Sequence, residues 1–228
     1  MKSGARSPIC KAMITNQIEN KSVLGLWLFL MPPKLLLINE EEKQWVQKLP
    51  RGRGQTYHLS RGYIRYALSC LSGFAPLQIP LKADPGKQPL LAKGWGNVSI
   101  SHCDDALLIG WSSNKIGVDI ERIDRKVAAD KLSKRFFCKE ENLELKNINN
   151  SEKQYQVIKR WVIKEAAIKW QGGTIASNIR EWVWGGNSSF VYNKKLDYKL
   201  NIYNSNFKNW TFAIAFEGRP LTPIVCIN

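Results

Sequence analysis

The sequence IGVDIE at residues 116–121 alternates apolar and acidic side chains after a glycine. Alternation with a period of two predicts a β-strand with Val118 and Ile120 on one face and the acidic side chains on the other. The acidic pair, Asp119 and Glu121, is self-repelling unless a cation lies between the two carboxylates, and such oxygen ligands favour Mg²⁺, or Mn²⁺, over zinc. The same pattern also fits a half-buried strand with a solvated acidic face.

A second informative segment is WVIKEAAIK at residues 161–169, inside a helix predicted from Glu152 to Trp170. Glu165 and Lys169 are four residues apart and share one face of this helix. As an ordinary surface pair they would contribute a few tenths of a kcal/mol, roughly. Alternatively, Glu165 is a third carboxylate that completes a metal site, and Lys164 and Lys169 neutralise phosphate oxygens.

The remaining sequence mixes helical and strand patterns, so the predicted fold class is α+β. The other predicted helices are Glu40–Leu49, Leu59–Leu71 and Val127–Phe137. The other predicted strands are Val98–Ser101, Ala106–Trp111, Trp182–Trp184, Ser189–Tyr192, Tyr198–Tyr203 and Trp210–Phe216. Irregular backbone is predicted for Arg51–Gly54 and for Pro76–Gly96, which contains a turn at residues 84–87.

Composition narrows the range of partners. The 228 residues include 34 Lys and Arg against 19 Asp and Glu, a formal net charge of +15. Such a chain attracts polyanions, whether nucleic acid, an acidic membrane, an acidic protein or a phosphorylated ligand. Five cysteines, an odd number without a C-x-x-C pair, argue against a disulfide framework and a cysteine-based zinc site, and predict a reducing cytoplasm.

The amino-terminal region contains the longest apolar run, Val23–Met31. It is far shorter than the roughly 20 residues that span a bilayer, so it predicts a buried first strand instead of a membrane anchor. Residues 1–21 are polar and show little apolar periodicity. They are predicted to be a mobile N-terminal extension, or to precede the native start.

Several basic residues lie in loops that suit the binding of phosphate. Arg51, Arg53, Lys82 and Lys87 are placed near glycine or proline, where the backbone can approach an anion closely. Each of them also fits scattered surface charge. The segment Ser101-His102 follows a predicted strand and offers a hydroxyl and an imidazole to a phosphate, although a single histidine is more often structural.

The order of these segments resembles the 4′-phosphopantetheinyl transferases. The segments are Ser99–His102, Gly117–Glu121, Arg135–Phe137 with Glu140 or Glu141, and Trp161–Lys169. The length and the carboxy-terminal strands resemble the long, Sfp-type, cyanobacterial HetI-like branch of that family. The resemblance covers roughly residues 22–218.

This resemblance implies a fold and a reaction. The fold would be a pseudodimer of two similar α+β subdomains, residues 22–113 and 114–228, with the metal ligands in the second and the active site in the cleft between them. The enzyme would be a monomeric holo-acyl-carrier-protein synthase. It would transfer 4′-phosphopantetheine from coenzyme A to a serine of an apo acyl or peptidyl carrier protein and release 3′,5′-ADP.

The resemblance also implies roles for individual residues. The expected Mg²⁺ ligands, for which Mn²⁺ is an alternative ion, are Asp119, Glu121 and Glu165. The expected catalytic residues are Asp119, Glu165, the proposed general base, and Lys169, which meets the phosphates. The residues expected to contact coenzyme A are Arg53, Lys82, Gly86, Lys87, Ser101, His102 and Lys169. Arg51 is the alternative to Arg53.

The expected partners are coenzyme A and an acidic carrier protein, without nucleic acid or membrane. A basic segment close to the acidic pair is a candidate docking surface for the carrier; it contains Arg122, Arg125, Lys126, Lys131, Lys134, Arg135 and Lys139. A solvated basic helix is the alternative interpretation of that segment. The alternative functions are another Mg²⁺-dependent phosphate-handling enzyme and a basic nucleic-acid-binding module.

Overall fold

The structure, a computed structural model, describes residues 24–30, 34–218 and 224–227. These residues form two compact units. The first contains the described residues up to 100, residues 105–113 and the last strand, and the second contains residues 101–104 and those from 114 to 218. The predicted extension at residues 1–21 lies outside the described residues.

The described residues contain both helices and strands, as expected for an α+β protein. The helices are α1 (Glu40–Lys48), α2 (Arg51–Ser72), α3 (Ala129–Phe136), α4 (Lys139–Lys146), α5 (Asn150–Gln171) and α6 (Ile175–Asn178), with a 3₁₀ turn at Pro76–Gln78. The strands are β1 (Leu24–Leu30), β2 (Leu81–Lys82), β3 (Leu90–Leu91), β4 (Asn97–Cys103), β5 (Ala106–Ser112), β6 (Ile116–Arg122), β7 (Trp182–Val183), β8 (Phe190–Asn193), β9 (Tyr198–Phe207), β10 (Trp210–Phe216) and β11 (Ile224–Ile227).

The first unit is built on a four-stranded sheet in the order β11-β1-β5-β4. Strand β1 pairs antiparallel with β5 and parallel with β11. Its residues are almost all buried, which confirms the buried first strand predicted from the apolar run. Helix α2 covers this sheet through Ile64, Ala67 and Leu68, which belong to the same apolar cluster as Trp27 and Ile109.

The beginning of α2 corrects the sequence-based prediction. Arg51–Gly54, predicted as a loop, is the first turn of the helix, which starts directly after Pro50. A Cβ atom at Gly54 would lie 2.8 Å from the backbone oxygen of Val46 in α1. The glycine is therefore required by the close approach of two helices, and not by a flexible loop.

A buried ion pair joins α1 to α2. The Arg65 guanidinium lies 2.9 Å from the Glu42 carboxylate, and both side chains are almost fully buried. Glu42 also accepts a hydrogen bond from the backbone N–H of Asn39, whose side chain caps α1 in return. Because every atom of this pair is satisfied, the charges are tolerated in the interior.

The second unit is an antiparallel sheet in the order β6-β10-β9-β8-β7. Helix α5 lies across the sheet, and its Val162, Ile163 and Ala166 share one core cluster with Leu200 and Ala213 of the strands. The helix begins at the Asn149 cap and ends at Gly172, close to the limits predicted from sequence. The sheet and this helix together position the candidate site.

Two further findings concern the broad class of the protein. None of the helices in the described ranges combines the length and apolarity needed to cross a membrane. Cys70, Cys103 and Cys138 are free thiols, whereas Cys226 is disulfide-bonded. The cysteine pattern argued against a disulfide framework and did not predict the bond at Cys226.

Candidate active site

The site is organised by the contact of β6 with α5. Gly117 of β6 lies so close to the helix that a Cβ atom at this position would be 2.0 Å from the backbone oxygen of Ala166 and 2.4 Å from the backbone nitrogen of Trp170. Because side chains two residues apart share a strand face, Asp119 lies on the same face as Gly117. The glycine thus brings the acidic face of β6 directly against α5.

Asp119 is the buried centre of the site, with 4% of its surface exposed. Its Oδ1 atom accepts a hydrogen bond of 2.6 Å from the Ser101 hydroxyl. The same oxygen forms an ion pair with Lys169 Nζ at 2.7 Å. Its other oxygen, Oδ2, is buried and has no hydrogen-bond partner in the described part of the chain. Burying a carboxylate oxygen without a hydrogen bond costs folding free energy. Such oxygens are typical of ligand-binding sites.

Glu165 of α5 is electrostatically coupled to Asp119. Burial is the main cause that raises the pKa of Glu165 to about 7. The negative charges of Asp119 and Glu121 contribute to this rise, whereas Lys169 and a hydrogen bond from Trp161 oppose it. A carboxylate with a pKa near neutrality is suited to accept a proton at physiological pH. This raised pKa suits the general-base role expected for Glu165, which stays a prediction.

The raised pKa of Glu165 predicts a pH-dependent stability. Between its ordinary value of 4.5 and about 7, the folded protein keeps a proton that the unfolded chain releases, so the free energy of unfolding falls as pH rises through this window. We expect Glu165→Gln to remove a fall on the order of 1 kcal/mol or more, since one pKa unit corresponds to about 1.4 kcal/mol. Urea unfolding of both proteins with a chelator at pH 4.5 to 8 measures the difference, and a pH-independent difference contradicts the prediction.

Glu121 lies further along the same strand face. Its carboxylate pairs with the Arg125 guanidinium at 2.5 Å. Burial raises the pKa of Glu121, and the charge of Asp119 adds to this effect, whereas Arg125 lowers it. Glu121 is thus close enough to Asp119 for their charges to interact, although its present partner is an arginine.

The chemistry of these groups fits a hard divalent cation. Carboxylate oxygens are the ligands that Mg²⁺ prefers, and Asp119 Oδ2 is a buried acceptor that lacks a donor. However, no three His, Cys, Asp or Glu side chains of the described residues are already gathered as a metal-binding group. The ligand set of Asp119, Glu121 and Glu165 therefore stays a prediction.

His102 follows Ser101 at the end of β4. Desolvation by neighbouring groups lowers the pKa of His102, the Lys169 ammonium lowers it further, and Asp119 opposes both. His102 nevertheless keeps a solvent-exposed surface. The electrostatic interaction with both Lys169 and Asp119 indicates that His102 lies near these two groups. His102 lies within β4, and not after the strand as predicted.

Lys164 has a different position from the one that the sequence suggested. It is fully buried, and its Nζ atom lies 2.5 Å from Glu141 of α4. Glu141 also accepts hydrogen bonds from the backbone N–H groups of Cys138 and Trp184. The hypothesis that Lys164 neutralises phosphate is therefore wrong, because its charge is already used to hold α4 against α5.

A sequence signal for this buried pair does exist. Glu141 and Glu144 are three residues apart on α4, and Arg160 and Lys164 are four apart on α5, so each pair occupies one helix face. Arg160 contacts Glu144 at 2.5 Å, parallel to the pairing of Lys164 with Glu141. Residues 139–146 carry no predicted helix, so the spacing on α4 is recognised only in the structure.

The remaining predicted contacts lie in the first unit. Arg53 is exposed on the first turn of α2, Lys82 is exposed on β2, and Lys87 is exposed beside Asp84, 3.6 Å away. Gly86 occupies the predicted turn with a positive φ of 75°. Within this unit the residues remain candidates for phosphate binding.

Helix α2 holds the chain that leads into this turn. The Tyr57 hydroxyl donates a hydrogen bond of 2.8 Å to the backbone oxygen of Ala83, and Arg61 Nε donates to the same oxygen at 3.1 Å. The Arg61 guanidinium also lies over the Tyr57 ring. Lys82, which precedes Ala83, is thereby fixed relative to the helix that carries Arg53.

Comparisons with known proteins find similarity to one superfamily. Residues 115–215 match the model of the 4′-phosphopantetheinyl transferase superfamily. The matched residues include β6 and α5, and hence Asp119, Glu121, Glu165 and Lys169. The chain is also 24% identical over 176 residues to the 4′-phosphopantetheinyl transferase HetI of Nostoc sp. (strain PCC 7120), a match that covers 64% of this chain and 74% of the relative. On these matches, residues 115–215 are similar to the 4′-phosphopantetheinyl transferase superfamily, and the chain is similar to the HetI protein.

Proposed function

We propose that this protein transfers the 4′-phosphopantetheine group of coenzyme A to a serine of an apo acyl or peptidyl carrier protein. The products are the holo carrier protein and 3′,5′-ADP. The observation that carries the proposal is the buried Asp119 of β6, which faces Glu165 and Lys169 of α5 within the residues matched to the superfamily. The like charges of Asp119, Glu121 and Glu165 repel one another, which favours a cation bound between them.

The reaction joins the serine oxygen of the carrier to the phosphorus that bears the pantetheine arm and breaks the bond from that phosphorus to 3′,5′-ADP. Glu165 accepts the proton of the serine hydroxyl, for which its raised pKa suits it. Lys169, 30% exposed at its side chain, presents an ammonium group to the phosphate oxygens. This transfer requires positioning and charge neutralisation more than covalent chemistry.

A divalent cation completes the proposed site. Mg²⁺, or Mn²⁺, held by Asp119, Glu121 and Glu165 would supply charge neutralisation to the diphosphate. Ser101 and His102 lie next to this group of residues, and Arg53, Lys82, Gly86 and Lys87 of the first unit are the proposed contacts for the nucleotide. The proposal includes the monomeric pseudodimer with coenzyme A in its cleft and a cytoplasmic location.

One assay tests the proposal directly. The full chain is incubated with several apo carrier proteins, coenzyme A and Mg²⁺, and the carriers are weighed by mass spectrometry. We expect a covalent phosphopantetheine adduct that disappears when coenzyme A is omitted or a chelator is added. The absence of an adduct on every carrier overturns the proposal and favours another phosphate-handling enzyme or a nucleic-acid-binding module.

The basic segment that contains α3 is the proposed docking surface for the carrier. Two of its arginines are already engaged, because Arg122 pairs with Asp124 and Arg125 pairs with a site carboxylate. The end of α3 is fixed by Arg180, which donates to the backbone oxygens of its last turn. The exposed lysines of the segment that form no ion pair among the described residues are Lys126, Lys131, Lys134 and Lys139.

Charge reversal tests this surface. We expect Lys131→Glu/Lys134→Glu to raise the KM for an acidic carrier about tenfold and to leave the KM for coenzyme A nearly unchanged, since rim charges act mainly on association. Steady-state kinetics with each substrate varied in turn give both constants. The matched control is Lys48→Glu/Lys93→Glu, which reverses two exposed charges of the first unit. Equal changes in both KM values, or an equal effect of the control, contradict a docking role.

A further inference from the structure

We propose that Ser101 is a positioning residue for Asp119, and not a contact for a phosphate of coenzyme A. Its hydroxyl holds one oxygen of the Asp119 carboxylate, so that the other oxygen is left for the divalent cation. This inference rests on the proposed function and concerns the way in which the same site is prepared for its metal.

The Ser101 hydroxyl is the donor in its hydrogen bond with Asp119. The Ser101 Oγ atom lies 2.6 Å from Asp119 Oδ1, and both residues are at most 5% exposed. A serine hydroxyl has one proton, and an ionised carboxylate is only an acceptor, so the proton points to Asp119. The hydroxyl then presents only lone pairs to any other group. A phosphate oxygen needs a donor and is repelled by those lone pairs.

Asp119 Oδ1 has two partners, and Ser101 is the one that stays in place during the proposed reaction. Lys169 contacts the same oxygen at 2.7 Å, but its side chain is long and 30% exposed. In the proposed reaction Lys169 turns to the phosphate. Ser101 is a short side chain on β4 with one rotatable bond to its oxygen, so it is the donor that keeps the carboxylate in place.

The second carboxylate oxygen of Asp119 is the one left for the cation. Asp119 Oδ2 is buried and has no hydrogen-bond partner in the part of the chain that the structure describes. Because Ser101 holds Oδ1, the carboxylate group cannot rotate freely and exchange the positions of its two oxygens. The hydroxyl thus selects one orientation of Asp119, which is how groups behind a metal ligand ordinarily contribute to metal affinity.

Metal binding without substrate provides the decisive measurement. Mn²⁺ is titrated into the full chain, without coenzyme A, and free Mn²⁺ is followed by electron paramagnetic resonance. We expect Ser101→Ala to raise the Kd for Mn²⁺ by about 10- to 100-fold, the usual effect of losing a group that orients a ligand. Ser101→Thr keeps the hydroxyl and is expected to bind Mn²⁺ nearly as well as the wild type.

A matched control separates this effect from the loss of any buried hydroxyl. Ser133 is 4% exposed and donates to the backbone oxygen of Asp130, so Ser133→Ala removes a similar group from the same unit. We expect it to leave the Kd for Mn²⁺ unchanged. If Ser101→Ala does not fold, Ser101→Cys replaces the hydroxyl by a weak donor and is expected to lose affinity to a smaller extent.

Kinetics distinguish the two roles of Ser101. A positioning role raises the Mg²⁺ concentration needed for half-maximal activity and leaves the KM for coenzyme A unchanged. A raised KM for coenzyme A with unchanged Mn²⁺ affinity shows a phosphate contact and overturns the inference, while the proposed function stands. Failure of the wild-type protein both to bind Mn²⁺ and to modify any carrier overturns the proposed function and this inference together.

Discussion

The variant Asp119→Asn is expected to lose transfer of phosphopantetheine almost completely, with kcat/KM lowered by about 10³-fold or more. Removing one well-placed electrostatic group from an active site typically costs about 10²–10³ in rate. Asp119 should exceed this, because the substitution also removes the charge that Lys169 now contacts and the predicted ligand of the cation. Asparagine keeps the shape of the side chain, so the fold should be preserved. Mass spectrometry of the carrier over time measures the rate, and circular dichroism reports the fold.

A matched control for this variant is Asp124→Asn. Asp124 lies just beyond the end of β6 and pairs with Arg122 at 2.6 Å. Its side chain is 52% exposed, and no role in the active site is expected for it. Hydrogen bonding and the charge of Arg122 lower the pKa of Asp124, so it is ionised and its loss removes the same charge from the chain. We expect this control to stay within about threefold of the wild-type rate, as exposed pairs contribute little. Comparable activity in Asp119→Asn would remove Asp119 from the active site.

The local pattern of the sequence predicted the elements that carry the site. Period-two alternation in residues 116–121 correctly placed the two carboxylates on one strand face, and helical spacing correctly placed Glu165 and Lys169 on one helix face. Both patterns are set by backbone geometry alone, and no tertiary contact is needed to derive them. The contact of Lys169 with Asp119, 50 residues apart in sequence, follows only from the packing of α5 on β6.

Positions whose role depends on a distant partner were predicted less well. Lys164 looked like a phosphate-binding residue beside Glu165, yet its charge is buried against Glu141. The glycines of Arg51–Gly54 looked like loop residues, yet Gly54 permits the contact between α1 and α2. In each case the residue type was informative, but its partner lies on another helix that local periodicity does not identify.

The positive net charge of the chain suits the substrates of the proposed reaction. Coenzyme A, the proposed donor, carries a diphosphate and a 3′-phosphate, and the proposed carrier is acidic, so a net charge of +15 suits both proposed substrates. Two arginines of the basic segment are neutralised, Arg125 by the site carboxylate Glu121 and Arg122 by Asp124, whereas its lysines remain exposed. The acidic residues of this basic chain are therefore more informative about chemistry than the basic ones.

The variant Gly117→Ala is expected to destabilise the second unit by more than about 4 kcal/mol, a loss found only for severe substitutions. The added Cβ atom would lie 2.0 Å from the oxygen of Ala166 and 2.4 Å from the nitrogen of Trp170. Both are backbone atoms of α5, so no side-chain rotation relieves the overlap. The helix must move away from β6, and the core formed by Ile163 and Ala213 opens. Urea unfolding followed by tryptophan fluorescence measures the loss.

Gly52→Ala is the matched control, because a Cβ atom at Gly52 has no atom within 4 Å and the residue lies in helix α2. Alanine is favoured over glycine in a helix by up to about 1 kcal/mol, so the control should be neutral or slightly stabilising. Equal stability of Gly117→Ala and the wild type would show that α5 does not lie as close to β6 as the structure has it. Where Gly117→Ala still folds, we expect its activity to be lost as well, since a displaced α5 carries Glu165 and Lys169 away from Asp119. The glycine of the motif thereby acts on the chemistry through the distance between strand and helix, although it contributes no side chain.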